Sequence, residues 1–320
     1  MHQFSIITPT FNRAKYLPRI YECLCKQDDI DFEWIIIDDG SIDNTKEIVS
    51  DFPKIFEIKY KYQENAGKPT AMNVGIGMTD SLITLVSLDS EDILCQNILK
   101  TAWGLFNSET GKFHHDSDCL SGLCQYENGD IIGEKFPYDY FVSDYIRYIK
   151  NMHIIGDKCV FYISKTLKKY SFPIFQNEKN IAPGILHTRI ALDHKTLYVN
   201  QIFQEKQFLE GGLSTQNYWI MYPFGSELYY NETSVHPFRL SLQIKHSAEY
   251  IFFAKLNKKK YIYKNAKNKK VFPLAIFAYC GLCIKHFLKG FQLLRYINET
   301  LKKISKREPT KVIKQEQTDL

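Results

Sequence analysis

Four short apolar runs, Phe4–Thr8, Phe32–Ile37, Ile55–Tyr62 and Leu82–Leu88, alternate with helix-like stretches over residues 1–90. This alternation predicts βαβ units built on a parallel sheet. Arg13 to Lys26 places Leu17, Ile20, Tyr21 and Leu24 on one helical face. Asp43 or Asn44 can cap a helix running through Val49, and a third helix is expected from Pro69 to Gly77. Pro9 is expected to end the first strand. Right-handed crossovers put the carboxyl ends of all four strands on one edge. That edge gathers Pro9-Thr10, Asp38-Asp39, Asn65 and Asp89 to Glu91, where open α/β sheets take their ligands.

The acidic turn Asp89-Ser90-Glu91-Asp92 has two readings. Carboxylates held close together repel unless a cation sits among them, and hard divalent cations favour oxygen ligands. The same residues could cap a helix predicted over Ile93 to Phe106. Asp38-Asp39-Gly40-Ser41 likewise reads as a nucleotide-contacting turn or as an Asx-type turn before a helix. Two acidic strand ends on one edge favour ligand binding, because turn formation does not require both to be acidic. Between them, Asn65-Ala66-Gly67-Lys68-Pro69 supplies a Gly turn and a Lys at a helix start, where amides favour an anion. Neither GxxxxGK[ST] nor a strand leading into GxGxxG is present, which disfavours a dinucleotide-dependent oxidoreductase. What is left is a nucleotide diphosphate held through a metal.

In order and spacing, Ile6-Ile7-Thr8-Pro9-Thr10-Phe11-Asn12, Ile36-Ile37-Asp38-Asp39-Gly40-Ser41, Asn65-Ala66-Gly67-Lys68 and Leu88-Asp89-Ser90-Glu91-Asp92 resemble the motifs of family 2 glycosyltransferases. The resemblance covers residues 3–95 and implies a GT-A fold: a Rossmann-like, mostly parallel central sheet with flanking helices. It also implies transfer with inversion at the sugar's anomeric carbon. Carried over motif by motif, Pro9, Thr10 and Asn12 would shape the nucleotide pocket, with Asp39 meeting the base and Asp38 setting the turn. Asn65, Gly67 and Lys68 would lie near the base or diphosphate, supported by Asn73. Asp89, Ser90 and Glu91 stand at the DxD motif, where Asp89 and Glu91 would hold ribose and a metal, Mn²⁺ or Mg²⁺. Glu91 departs from the Asp usual there.

The second half resembles a bacterial, surface-glycan subgroup through Gly133 to Pro137, Gly156-Asp157-Lys158, Glu178-Lys179, Arg189-Ile190 and Glu210 to Ser214. Inverting transfer needs a carboxylate to deprotonate the acceptor hydroxyl. Relatives place it a few residues after the Glu-Lys pair, where this chain has Ala182-Pro183-Gly184. Glu178 is the first substitute and Asp157 the second. The implied partners are a nucleotide-sugar donor, UDP-linked, and a glycan or lipid-linked acceptor. Two rival readings are a nucleotide-sugar-binding protein without turnover and a sugar nucleotidyltransferase. The second needs a Gly/Arg/Lys-rich first loop, which Thr8 to Asn12 is not.

In the middle of the chain, a hairpin is expected over Gly122 to Phe136, turning at Asn128-Gly129. Helices are expected over Asp144 to Met152 and Ile185 to His194, with a strand from Cys159 to Ile163. His114-His115-Asp116-Ser117-Asp118 reads as a solvated loop, and His194 as a packing or surface residue. The net charge of +5 is unevenly spread, with excess Lys beyond residue 250 beside the apolar run Val271 to Ile284. This run is shorter than a spanning helix needs, so it reads as a core helix or as a peripheral membrane contact through residues 255–290. Without a recognised nucleic-acid fold beside the lysines, no nucleic-acid partner is expected. The eight cysteines show no zinc spacing, and Cys280-Gly281-Leu282-Cys283 reads as buried thiols. Free thiols and the absence of an export signal predict a cytoplasmic location, at the inner face of the plasma membrane if the basic stretch is a membrane contact. The expected organisation is 1–220 as the catalytic domain (1–95 donor side, 96–220 acceptor side), 221–300 as a helical basic extension and 301–320 as a disordered tail.

Overall fold

A computed structural model describes residues 1–146, 154–207 and 221–288, with side chains to residue 281 in the last stretch. The chain forms two compact units: Met1–Ser171 with Arg189–Gly212, and Phe172–Thr188 with Leu213–Leu320. The division thus does not run at residue 220 alone. Phe172–Thr188 belongs with the second unit, where the Glu178 carboxylate holds the amides of Phe224 and Gly225.

In the first unit the elements run β1 (His2–Thr10), α1 (Leu17–Leu24), β2 (Phe32–Asp38), α2 (Thr45–Ser50), β3 (Glu57–Tyr62), α3 (Lys68–Met78) and β4 (Ser81–Leu85). They continue with β5 (Ile93–Leu94), α4 (Ile98–Gly104), β6 (Phe106–Asn107), β7 (Lys112–Phe113), β8 (Cys119–Tyr126), β9 (Tyr140–Ser143), β10 (Lys158–Ile163) and α5 (Ser164–Leu167). In the chain, α6 (Gly184–Ile190), most of which belongs to the second unit, precedes β11 (Thr196–Lys206) of the first. The large sheet has the order β3-β2-β1-β4-β10-β8-β11-β5, with β9 on β11. Its first four strands are parallel, and β10 enters antiparallel to both β4 and β8.

All seven residues of β2 are buried, as expected of a parallel strand covered on both faces. Phe4, Ile6, Trp34, Ile36, Ile83, Leu85, Phe161 and Phe203 share one core. Helix α3 approaches β1 at Gly75, where a Cβ would lie 2.5 Å from the Ile7 Cγ2 methyl.

Four expectations are corrected. Pro9 does not end β1, and pairs in register with Ile37. The Ile7 carbonyl accepts from Leu88 and the Thr10 carbonyl from Asp39, so alternation turns the Pro9 nitrogen to the β4 side. There the paired register already ends at Ile6–Leu85, and a missing N–H costs no ladder bond. Second, Ile93 does not begin a helix. Ile93–Leu94 pairs with Glu205 and Gln204 of β11, and α4 starts only after Asn97, which adopts a left-handed conformation. Third, the turn at Asn128-Gly129 forms, but its returning arm is a single bridge, Gln125 to Ile131. Fourth, Cys280 is exposed. The helix expected over Asp144 to Met152 and the tail from 301 lie largely or wholly outside the described residues.

The second unit is helical. Helix α7 (Pro223–Thr233) packs against α8 (Leu240–Leu256), followed by α9 (Ile262–Asn265) and α10 (Phe272–Leu288). Ala248, Tyr250, Ile251 and Ala254 of α8 form a core with Phe272 and Ala275 of α10.

Candidate active site

The carboxyl ends of β1 and β2 meet in register at Thr10 and Asp38. Asp38 is spent on structure: its Oδ1 accepts the Ser41 amide at 2.8 Å, and its Oδ2 accepts the Tyr60 hydroxyl at 2.6 Å. Burial and the Asp38 charge push the Tyr60 phenol up, so it stays a donor. Gly40 follows with φ +90°, and a Cβ there would stand 2.8 Å from the Asn65 nitrogen. The turn therefore requires glycine both for its backbone angle and for its closeness to Asn65. Asn12, itself at φ 53°, accepts the Ile42 amide at 2.9 Å and donates its own amide to Ser41 Oγ.

Asp39 organises the neighbouring loop. Its Oδ1 accepts from Gln63 Nε2 at 2.7 Å and from the Ala66 amide at 2.9 Å, and its Oδ2 from the Gly67 amide at 2.8 Å. A carboxylate has about four acceptor sites, so one direction stays available. Two buried polar atoms of residues bonded to Asp39, Thr10 Oγ1 and Gln63 Oε1, lack a hydrogen-bond partner among the described residues. Gly67, at φ 95°, precedes the first turn of α3, which begins with Lys68; half-buried Asn73 lies farther along that helix.

Lys68 reaches from α3 to the acidic turn, with its Nζ 2.6 Å from Asp89 Oδ1, which also accepts the Ser87 hydroxyl. Burial alone would raise the Asp89 carboxyl, but the ammoniums of Lys68 and Lys206 outweigh it and hold Asp89 well below the usual carboxylate range. Ser90 is buried and donates to Glu91 Oε2 at 2.9 Å. The Asp92 carboxylate caps no helix. It is 2% exposed and accepts from Gln204 Nε2 at 3.0 Å and the Gln207 amide at 3.3 Å. Burial, with Asp89 and Glu91 nearby, pushes it up to about 7 against the opposing charge of Lys206.

Sequence reasoning missed Lys206, at the end of β11. Its ammonium is 3.4 Å from Asp92 Oδ2 and 3.1 Å from Asp157 Oδ2. Burial disfavours its charge, but Asp92, Asp89 and Asp157 overcome this and raise it well above the ordinary lysine value. Lys206 thus brings Asp157 to the acidic turn. Gln63 and Tyr60 were missed as well; both follow the expected third strand or lie within it, and only their contacts mark them.

Glu178 belongs to the second unit and is 4% exposed. Its oxygens accept the amides of Phe224 at 2.8 Å and Gly225 at 2.7 Å. A carboxylate there satisfies orphan donors of α7 and complements its dipole. The Ala182-Pro183-Gly184 segment of the same unit holds no carboxylate.

The oxygen-only donor set of Asp89 and Glu91 suits a hard divalent cation, and Asp89 is held ionised. His114 to Asp118 forms no metal cluster: Asp118 accepts from Thr166 and lies 2.8 Å from His194. Among the described residues, His2, Glu33 and Glu57 bring possible ligand atoms within 4.8 Å of one another. That cluster lies at the amino ends of the strands. Lys59 already pairs with Glu33, and both His2 nitrogens face carboxylates.

Residues 5–109 match Glycosyl transferase family 2. This part of the chain is a family 2 glycosyltransferase domain. Chondroitin synthase of Escherichia coli is 48% identical over 64 residues, 20% of this chain and 9% of its own length. Glycosyltransferase GlyG of Streptococcus pneumoniae is 36% identical over 102 residues, 31% of this chain and 33% of its own. Poly(ribitol-phosphate) beta-N-acetylglucosaminyltransferase TarS of Staphylococcus aureus is 32% identical over 124 residues, 38% of this chain and 20% of its own. The matches thus span about a third or less of these relatives. The crystal structure of S. aureus TarS 1-349 in complex with UDP-GlcNAc superposes with a TM-score of 0.62 at 20% identity, covering 87% of this chain and 80% of that one. A mannosyltransferase from Pyrobaculum calidifontis, solved with GDP-Man and Mn²⁺, gives 0.52 at 12% identity, covering 95% and 86%. These likenesses establish the GT-A fold of the family 2 domain.

Proposed function

We propose that the protein transfers a sugar from a nucleotide-sugar, a UDP-sugar, to an acceptor hydroxyl with inversion. The observation that carries this reading is the Asp39 carboxylate at the carboxyl edge of the sheet, held by Gln63 and the amides of Ala66 and Gly67 with one acceptor direction left. A base offers N–H donors, and one of them would meet the direction that Asp39 keeps free. Asp39 is preorganised for this, since three hydrogen bonds fix it before any ligand arrives.

Lys68 and Lys206 supply fixed positive charge beside the acidic turn, where a donor diphosphate would lie. Asp89 and Glu91 would hold the divalent ion, Mn²⁺ or Mg²⁺. When bound, such an ion neutralises charge on the leaving diphosphate. Asp157 is the preferred base: it is 51% exposed and is held toward the acidic turn by Lys206. Glu178 ranks second, because two backbone amides already occupy its oxygens. The acceptor is a lipid-linked or cell-surface glycan intermediate, met at the cytoplasmic face of the plasma membrane.

The test is isothermal titration and thermal shift with UDP-, GDP- and dTDP-sugars, with and without Mn²⁺. Stabilisation by a UDP-sugar is expected, and failure of every nucleotide to bind would end this reading. One observation favours a binding protein without turnover, namely the absence of a carboxylate at Ala182-Pro183-Gly184. Donor hydrolysis or transfer that disappears in Asp157→Asn would exclude it.

A further inference from the structure

Over residues 273–281, helix α10 turns one apolar face away from the unit it belongs to. Val271, Phe272 and Ala275 are buried, with Phe272 and Ala275 against α8. Pro273, Leu274, Ile276, Phe277, Cys280 and Gly281 are exposed, and Phe277 keeps 77% of its surface in solvent. No charged side chain interrupts that face. A helix that is apolar all round is normally covered on every side, and single exposed apolar residues are far commoner than such a patch.

The surroundings restrict what covers it. From Tyr250 to Asn298 the chain contains no Asp or Glu. Lys255 near the end of α8, and Lys258, Lys259, Lys260, Lys264, Lys267, Lys269 and Lys270 between α8 and α10, all stand exposed. Of these lysines only Lys267 reaches a carboxylate among the described residues, Glu232 at 3.9 Å. Tyr261 and Tyr263 are exposed in the same stretch. No described helix is long and apolar enough to cross a membrane. A short apolar face flanked by unbroken positive charge and exposed tyrosines is complementary to a surface that is anionic outside and apolar beneath.

We propose that this unit docks on an anionic lipid bilayer, with Leu274, Ile276 and Phe277 entering the interface and the lysines on the headgroups. The inference rests on the second unit alone and stands whether or not the donor reading does.

The test is flotation of the full chain with phosphatidylglycerol-containing and pure phosphatidylcholine vesicles at low and high salt. Binding to the anionic vesicles alone, weakened by salt, is expected. Lys258→Gln and Lys260→Gln should each weaken it by roughly fivefold, and Phe277→Glu should abolish it. Phe277 is exposed, so that variant should fold; an unchanged circular dichroism melt confirms it. Equal binding to both vesicle types, or none to either, overturns the proposal. So does lipid-free self-association lost in Phe277→Glu, which would assign the face to a second copy of the chain.

Discussion

Lys206 holds Asp157, its ammonium 3.1 Å from the Asp157 carboxylate in an ion pair that joins the end of β11 to the loop before β10. The same ammonium lies 3.4 Å from buried Asp92. Removing one partner of a buried pair leaves a charge without its counter-ion. Lys206→Met should therefore destabilise the protein by about 3 kcal/mol, read by chemical denaturation. Lys206→Arg should recover most of the loss, and equal loss in both variants would show that packing, not charge, matters.

Asp157 and Glu178 separate by readout. Asp157→Asn should lower turnover by about 100-fold or more while leaving UDP affinity within a factor of two or so. Glu178→Gln removes the charge from the start of α7 and should cost about 1–2 kcal/mol of stability. If Glu178→Gln stops transfer in a fully folded protein, the two roles are reversed.

Asp39 tests the base pocket. Asp39→Asn replaces an acceptor of three hydrogen bonds by an amide that cannot accept them all. Loss of even one charge-assisted bond is worth about 1.5–3 kcal/mol, so UDP should bind at least about tenfold more weakly by calorimetry. Asp38→Asn should act differently, through the turn and Tyr60, and appear mainly as a lower melting temperature.

Chelation tests the acidic turn. Removal of divalent ions should weaken UDP binding, and Glu91→Gln should weaken the affinity for Mn²⁺ itself, measured by titration without donor. Glu91→Asp keeps the carboxylate and should retain that affinity within about tenfold, given the flexible geometry of oxygen ligation. Ion-independent UDP binding would remove the metal from the scheme.

His2 predicts a pH dependence far from the site. It lies 2.8 Å from both Asp31 and Glu57. Burial opposes its charge, but these carboxylates, with Glu33 nearby, raise it above its ordinary value. A raised histidine adds stability that is complete below its unfolded value and lost as pH climbs through the folded one. The melting temperature should therefore fall between about pH 6 and pH 8, and His2→Gln should flatten that slope.

Much of the donor half was legible because its signals are local. Phe32 to Ile37 is too apolar to be anything but a buried strand, and the turn at Asp38 sits where that strand releases it; the strand before the acidic turn ends at Leu85, short of the Leu88 expected. β11 was not legible. Its alternation breaks where the register shifts between Tyr198 and Ile202 and again before Gln204, so period-two reasoning fails. Lys206 was invisible for the same reason, since its meaning depends on Asp92 and Asp157 arriving from distant segments. Glu178 was recognised as unusual, but its partners lie on a helix 46 residues later, and no spacing rule announces such a contact.

Pro9 carries one more consequence. A parallel ladder continuing past the bond from Leu88 to Ile7 would next call on the nitrogen of residue 9, which has no hydrogen to give. The paired register of β1 and β4 has already ended at Ile6–Leu85, and Pro9 leaves the seam no N–H with which to resume beyond the Leu88 bond. The carboxylates of the acidic turn therefore follow a seam that is already open on the β4 side and that Pro9 cannot close.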